Sequence, residues 1–147
     1  MIYAAAVAFD SQIAEGIVYL TFRGYVTAED IRDMVDLLAK IETEAKVSPD
    51  RIADLSAIEG MSLNFSAIID YSVMRRKAPL KNKVKAAIVA PHPLQYGFAR
   101  MFQTLNDNPD INMEIFTDKD SGLAWISTGQ GSDGHKASQG RGGFNFG

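Results

Sequence analysis

The feature that most constrains the fold is a short apolar run in the second half of the chain. Val84 to Ala90 holds six apolar residues and a single lysine, so a strand built from it would be apolar on both faces. Strands of this kind are typical of a parallel sheet that helices cover on its two sides. We therefore expect an α/β fold with this run as a central parallel strand.

Strand-like segments alternate with helix-like segments on both sides of this run. Alternation of apolar and polar residues or β-prone composition predicts further strands at Tyr3–Phe9, Gly16–Arg23, Arg51–Ile58 and Met113–Phe116. A short link around Gln12–Gly16 predicts that the first two strands form a hairpin. The expected sheet is mostly parallel, and the N-terminal hairpin adds an antiparallel strand.

About four helices are predicted between and after the strands. Thr27 is expected to cap the first helix, with Asp30 in its first turn. Spacings of three and four place the apolar residues of this helix on one face: Ile31, Met34, Val35, Leu38 and Ile41. The second helix begins near Ser66 and ends before Pro79. Its predicted buried stripe comprises Ile68, Ile69, Ser72 and Val73.

The third helix is predicted to begin at Pro91-His92-Pro93. Its shared side comprises Leu94, Phe98, Met101, Phe102 and Leu105. Gly97 lies inside this helix and is interpreted as allowing close packing against the sheet or a second subunit. The fourth helix begins at Asp118 and contains Leu123, Trp125 and Ile126.

Composition limits the classes of protein to which the chain can belong. The chain has 147 residues and no cysteine, which suits one domain in a reducing compartment and excludes disulfides and thiol nucleophiles. The sequence shows neither a secretory leader nor an apolar run long enough for a bilayer, so the expected location is cytoplasmic. A net charge of −3 predicts solubility and not a nucleic-acid or membrane partner.

The C-terminal residues differ in composition from the rest of the chain. From Gly129 onward, seven of the nineteen residues are glycine, and the large apolar residues are Phe144 and Phe146. A segment of this composition cannot build a core. We therefore predict a domain over residues 1–127 and a glycine-rich flexible tail over residues 128–147.

The order of elements and several local strings resemble those of STAS-like proteins. The strings are Thr27-Ala28-Glu29-Asp30, Asp54-Leu55-Ser56-Ala57-Ile58, Tyr96-Gly97-Phe98-Ala99-Arg100-Met101-Phe102, Phe116-Thr117-Asp118 and Ala124-Trp125-Ile126. More narrowly, the chain resembles the single-domain SpoIIAA-like branch, which takes its name from the sporulation anti-anti-sigma factor. The resemblance covers about Ile17 to Ile126. It implies parallel strands wound with helices and a non-enzymatic role in protein–protein signalling.

The resemblance also implies a phosphorylation site, from which this sequence departs. Well-studied members carry the phosphorylated serine or threonine at the start of the second helix. Leu63 and Asn64 occupy the positions where those hydroxyl residues are expected. This departure argues against a phospho-switch, although Ser62 and Ser66 flank the site.

The turn between the third strand and the second helix is the first candidate site. It lies at the carboxyl end of a parallel strand and leads to a helix N-terminus, where backbone N–H groups favour anions and ligands. The candidate binding residues here are Ser56, Ser62, Asn64 and Ser66. The alternative is that these residues serve as caps and turns.

A basic patch is the second candidate. It comprises Arg75, Arg76, Lys77, Lys81, Lys83 and Lys85, with no acidic residue between them. Such a patch on an otherwise acidic chain favours phosphates or an acidic partner. Alternatively, the cations complement a helix dipole and face solvent.

The third candidate site is a general base or a phosphate-binding trio on the third helix. Spacings of four place its residues along one side of that helix: His92, Tyr96 and Arg100. No serine or carboxylate stands at a defined spacing to complete a catalytic set, so a structural role is the alternative. We predict no enzyme activity and no cofactor. His92 and His135 are too few and too far apart to predict a metal site.

Two hypotheses of function follow. The first is a non-enzymatic regulatory module that binds a protein partner. The second is a carrier or sensor of a small apolar or lipid-like ligand, because six flexible or aromatic side chains are candidates for lining a cavity: Met34, Met61, Met74, Met101, Phe98 and Phe102. An ordinary core is the alternative for these six residues. A homodimer also remains open.

Overall fold

The structure, a computed structural model, describes residues 9–128 of the chain. Within this part the elements run β1 (Phe9–Ala14), β2 (Ile17–Thr27), α1 (Ala28–Glu44), β3 (Asp50–Ser62), α2 (Phe65–Arg76), β4 (Val84–Val89), α3 (Pro93–Leu105), β5 (Ile111–Phe116) and α4 (Lys119–Ser127). The predicted α/β class, the apolar β4 strand and the four helices are confirmed. The predicted boundary at residue 127 and the flexible tail stay predictions, because residues 129–147 lie outside the described part.

The five strands form one sheet in the order β1-β2-β3-β4-β5. β1 pairs antiparallel with β2, and the other neighbours pair in parallel. Each of the helices α1, α2 and α3 connects one strand to the next parallel strand, always in the same direction across the sheet. Right-handed crossovers therefore place all three helices on one face of the sheet. α4 follows the last described strand and packs on the other face, mainly against β4.

The hairpin between β1 and β2 is tighter than predicted. Glu15 and Gly16 form its turn with φ values of 55° and 76°, and two such residues match the right-handed twist of the strands. Gln12 is therefore not part of a link but pairs with Tyr19 inside the sheet. Residues 3–8 of the predicted first strand lie outside the described residues.

β3 continues four residues beyond its predicted end at Ile58, to Ser62. β2 also runs on to Thr27, and the two strands stay paired to Thr27 and Ser62 through two register shifts. Gly60, opposite Tyr25 in this extension, leaves room for the exposed Tyr25 ring, since a Cβ there would lie 2.7 Å from its Cε1. The extension places the end of β3 well beyond the end of β4.

The first helix is capped and oriented as predicted. Thr27 Oγ1 accepts from the Asp30 backbone N–H at 3.2 Å, and Asp30 Oδ2 accepts from the Thr27 backbone N–H at 2.8 Å. Ile31, Met34, Val35 and Leu38 are buried against the sheet. Glu42 is also fully buried, which the helical pattern did not predict.

The predicted stripe of α2 is partly wrong. Ile68 and Ser72 are buried, but Ile69 is exposed, and Tyr71 is buried instead. The physical reason is that α2 has α1 and α3 as its main neighbours, so its inner side faces helices as well as the sheet. The Tyr71 ring meets the Phe102 ring of α3 edge-on, with 4.8 Å between centroids.

The predicted stripe of α3 is also partly wrong, although Phe102 is buried and Phe98 packs against the core as predicted. Leu94 is 52% exposed, and the buried line consists of Gln95, Ala99 and Phe102. A Cβ on Gly97 would meet no heavy atom within 4 Å, so the predicted close packing of Gly97 against the sheet is wrong. Packing of Gly97 against a second subunit stays a prediction.

Candidate functional site

The end of β3 defines a polar edge, because β4 stops before it. The pairing of β3 with β4 ends at Asp54 and Val89, which leaves later carbonyls of β3 without a strand partner on that side. Gln95, buried at the start of α3, takes over this role. Its Nε2 donates to the carbonyls of Ser56 at 3.0 Å and Ile58 at 3.2 Å. The start of α3 is therefore fixed to the end of β3.

Ser56 lies on this edge and is exposed. Asp54 Oδ1 accepts hydrogen bonds from the Ser56 backbone N–H at 2.9 Å and from its hydroxyl at 2.6 Å. Short bonds of this kind are typical of an Asx turn, in which the aspartate fixes the local backbone. The Ser56 hydroxyl is thus held by a carboxylate that also repels anions.

Asn64 caps α2. Its Oδ1 accepts from the Ala67 backbone N–H at 2.8 Å, the bond that a serine or threonine cap makes in other helices. Ser62 is the last residue of β3 and Ser66 lies in the first turn of α2, and both are exposed. The hydroxyl groups of this turn therefore flank a helix start whose cap is an amide.

His92, Tyr96 and Arg100 are exposed along α3. The His92 backbone N–H donates to Gln95 Oε1 at 3.2 Å, and Arg100 Nη1 donates to Gln103 Oε1 at 2.7 Å. The described hydrogen bonds and ion pairs do not join the three side chains to one another. The structure thus places them on one surface without assembling them into a catalytic set.

Two apolar side chains accompany these polar groups. Leu94 is 52% exposed and Tyr96 is 47% exposed at the start of α3. Since α2 and α3 both begin where a parallel strand ends, their starts lie at the same end of the sheet. We call this end the strand-end surface, and its members are Ser56, Asn64, Ser66, His92, Leu94 and Tyr96.

The six cations predicted as a basic patch do not form one surface. Arg75 is only 4% exposed, so it belongs to the interior and its place in a surface patch is wrong. Arg76 pairs with Asp107 at 2.8 Å, and both of these side chains are at least half exposed. Lys77 and Lys83 are exposed on the surface.

The other two lysines close helix ends. Lys81 Nζ donates to the carbonyls of Glu42, Thr43 and Ala45 at 2.7–3.1 Å, which places a cation at the negative end of α1. Lys85 Nζ donates to the carbonyls of Trp125 and Thr128 at the end of α4. Burial lowers the pKa of Lys85, and the charge of Asp50 opposes that shift.

A buried charge cluster is the most unusual group in the described part of the chain. Glu42 of α1 accepts from Arg51 Nη1 of β3 at 2.7 Å and from Arg75 Nη2 of α2 at 2.7 Å, all at carboxylate atom Oε2. Arg75 Nη1 also reaches Oε1 at 3.2 Å. Burial lowers the pKa of Arg51, whereas Glu42 acts to raise it. The cluster ties three elements together inside the protein.

A cavity of about 70 Å³ adjoins this cluster. It lies between the sheet and the helices α1, α2 and α3, and Arg51, Arg75 and Tyr71 are among its lining residues. The remaining lining is apolar. Burial raises the pKa of Tyr71, so its phenol stays protonated.

The predicted methionine-lined cavity is partly present. Met34, Met61 and Phe102 line it, whereas Met74, Met101 and Phe98 are not among its lining residues. The sequence also missed Glu42 and Gln95, because polar residues inside helices are expected to face solvent. One signal was available: Glu42 stands four and seven residues after Leu38 and Val35, on the buried face.

Between residues 9 and 128, histidine, aspartate and glutamate side chains form no group of three that could hold a metal ion. Over the same range, every helix is too short or too polar to cross a membrane.

No family model and no curated protein matches the chain by sequence. Solved structures define its class. The architecture is a SpoIIAA-like α/β fold, as the resemblance in the sequence predicted.

Two of these structures are informative. An uncharacterised protein of the DUF3478 family from Shewanella loihica PV-4, with a SpoIIAA-like fold, is 20% identical, with a TM-score of 0.56 over 81% of this chain and 92% of that one. The anti-sigma factor antagonist SpoIIAA in its unphosphorylated form is 11% identical. Its TM-score is 0.53 over 80% of this chain and 94% of that one.

Proposed function

We propose that the protein is a non-enzymatic regulatory module that binds a protein partner through the strand-end surface. The observation that carries this proposal is the pair of exposed apolar side chains, Leu94 and Tyr96, on a helix start that Gln95 fixes to β3. Exposed apolar groups among polar neighbours favour protein contact, and a rigid base lowers the entropy lost on binding. The fold shared with an anti-sigma factor antagonist supports the same function.

We expect that phosphorylation at the start of α2 does not control binding at the strand-end surface. Asn64 fills the cap and cannot accept a phosphate, and Ser56 already bonds to the Asp54 carboxylate. We further propose a cytoplasmic location, since the chain has no cysteine to pair in an oxidising compartment. A homodimer through this surface is an alternative form of the same proposal.

Site-specific photocrosslinking tests the proposed surface. A benzophenone side chain is placed at Tyr96 in one variant and at Val47, which is 70% exposed between α1 and β3, in a control. In lysate of the native organism, we expect one protein to crosslink at position 96 and not at position 47. Leu94→Asp should abolish capture, and Val47→Asp should leave it unchanged. Equal crosslinking at both positions, or capture that survives Leu94→Asp, contradicts the proposal.

A second candidate function is the carriage or sensing of a small ligand, which the cavity beside the charge cluster favours. Its volume of about 70 Å³ is small for a lipid chain. An apolar cavity about twice that size holds one benzene ring. This candidate therefore concerns a ligand of a few heavy atoms.

A further inference from the structure

The buried charge cluster is not electrically balanced. It contains one carboxylate, Glu42, and two guanidinium groups, Arg51 and Arg75, whose side chains are at most 5% exposed. Two cations and one anion leave one positive charge away from water. Such a charge is strongly unfavourable in the interior unless a counter-ion or further polar groups compensate it.

One donor of the cluster has no partner among the residues that the structure describes. Arg51 uses Nη1 for Glu42 and Nη2 for the Pro49 carbonyl at 2.7 Å. Its Nε is buried and makes no hydrogen bond with any residue in the range 9–128. Buried donors are nearly always satisfied, so an unpaired guanidinium N–H beside a cavity indicates an acceptor that binds there.

We propose that the cavity binds a small aliphatic monocarboxylate. One carboxylate oxygen accepts from Arg51 Nε, and the single negative charge balances the cluster. The alkyl part lies against the apolar lining, which includes Met34, Leu38 and Met113. This inference deepens the second candidate function and rests on it.

The volume of the cavity sets the length of the ligand. An engineered cavity of about 150 Å³ accommodates the six heavy atoms of benzene, so a space of about 70 Å³ holds about three heavy atoms. Acetate, the smallest carboxylate with an alkyl group, is the one nearest this size. Propionate and longer fatty acids exceed it.

The lining selects against other small anions. A phosphate carries more charge than the cluster can balance, and its further oxygens would lie against apolar side chains without donors. Chloride balances the charge but leaves the apolar part of the cavity unfilled. A carboxylate also suits the planar guanidinium group better than a spherical ion does.

Ligand-observed saturation-transfer NMR on the full chain tests the inference. Acetate is titrated against acetamide, which has the same shape and no charge. We expect acetate to bind at least tenfold more tightly than acetamide. Octanoate should bind no more tightly than acetate, and equimolar chloride should not displace acetate.

Two variants locate the site. Arg51→Met removes the unpaired donor and the excess charge, and should weaken acetate binding at least tenfold. Arg76→Met, on the exposed end of α2, is the matched control and should leave binding unchanged. Ala53→Val keeps the whole charge cluster but fills part of the cavity, and should also weaken binding at least tenfold. This second variant keeps the test decisive if Arg51→Met does not fold.

The outcomes separate this inference from the function on which it rests. Equal binding of acetate and acetamide, lost in Ala53→Val, would overturn the carboxylate and leave a carrier of small uncharged molecules. Absence of binding by every probe would overturn both. Binding unaffected by Arg51→Met, displacement by chloride, or tighter binding of octanoate would each overturn the proposed ligand class.

Discussion

The two faces of the sheet are built differently. On the face covered by α4, the buried residues Ile52, Ala87, Val89 and Ile126 form an apolar layer. Gly122 of α4 lies so close that a Cβ would stand 3.1 Å from Cδ1 of Ile52. The face covered by α1, α2 and α3 holds the larger apolar core, and it also contains a cavity and a buried charge cluster.

The difference separates two tasks of one small domain. The α4 face fills its space, and close packing of apolar groups contributes to stability. The three-helix face contains a cavity, and it buries charges whose net contribution to stability is small or unfavourable. We interpret the α4 face as the closely packed face and the three-helix face as the face with room for a ligand.

The largest effect is expected from Glu42→Gln on the three-helix face. It removes the acid of the cluster and leaves two buried guanidinium groups unpaired, so we expect the free energy of unfolding to fall by about 3–5 kcal/mol. Urea unfolding measures this loss. Glu44→Gln, exposed on the same helix, should change stability by less than about 0.5 kcal/mol.

A companion variant sharpens this prediction. The triple replacement Glu42→Leu with Arg51→Met and Arg75→Met removes every charge of the cluster at once. It should be more stable than Glu42→Gln, because no uncompensated ion remains. A triple variant less stable than the single one would mean that the cluster itself stabilises the fold.

Ile126→Ala tests the α4 face. Ile126 is 2% exposed between α4 and the sheet, and its truncation should cost about 2–4 kcal/mol by lost burial and a new cavity. Ile13→Ala, at a position 59% exposed on β1, is the control and should stay within about 0.5 kcal/mol. If Ile126→Ala and Ile13→Ala lost equal stability, the α4 face would be no better packed than the protein surface.

Adding the same side chain to each face should give opposite signs. Gly122→Val pushes methyl groups against Ile52 and should cost about 1–3 kcal/mol by overpacking. Ala53→Val enters the cavity and should gain about 0.5–1 kcal/mol. Thermal and urea unfolding of both variants measure the two effects. A loss in both would show that the three-helix face has no usable space.

The smallest effect concerns a residue away from both faces. Gly97 is exposed in α3, and nothing would obstruct a Cβ there. Gly97→Ala should raise the free energy of unfolding by about 0.5–1 kcal/mol, because alanine favours the helix. A loss of stability in urea unfolding would contradict the open surroundings of Gly97.

The sequence predicts the order of elements well because its patterns are local. The alternation in β2, the cap at Thr27 and the apolar run of β4 each depend on residues a few positions apart. The SpoIIAA-like resemblance rests on the same local strings. These features do not require knowledge of which distant segments meet.

Local patterns do not predict the charge cluster or the hydrogen bonds that join Gln95 to the edge of β3. Glu42 meets Arg75 across 33 positions, and Gln95 meets Ser56 across 39. A polar residue on a helix is expected to face solvent unless its partner is known, and one sequence does not reveal the partner. The predicted stripe of α2 was partly wrong for the same reason. Packing against neighbouring helices buries Tyr71 and leaves Ile69 exposed.

The place of α4 at the end of the described chain has a consequence for synthesis. Each strand from β2 onward can join the strand made before it, and α1, α2 and α3 cover their face as they emerge from the ribosome. The opposite face stays bare until Lys119–Ser127 has been translated. A nascent chain stalled after Phe116 would display Ile52 and Val89 to its surroundings, where chaperones or other nascent chains can bind them.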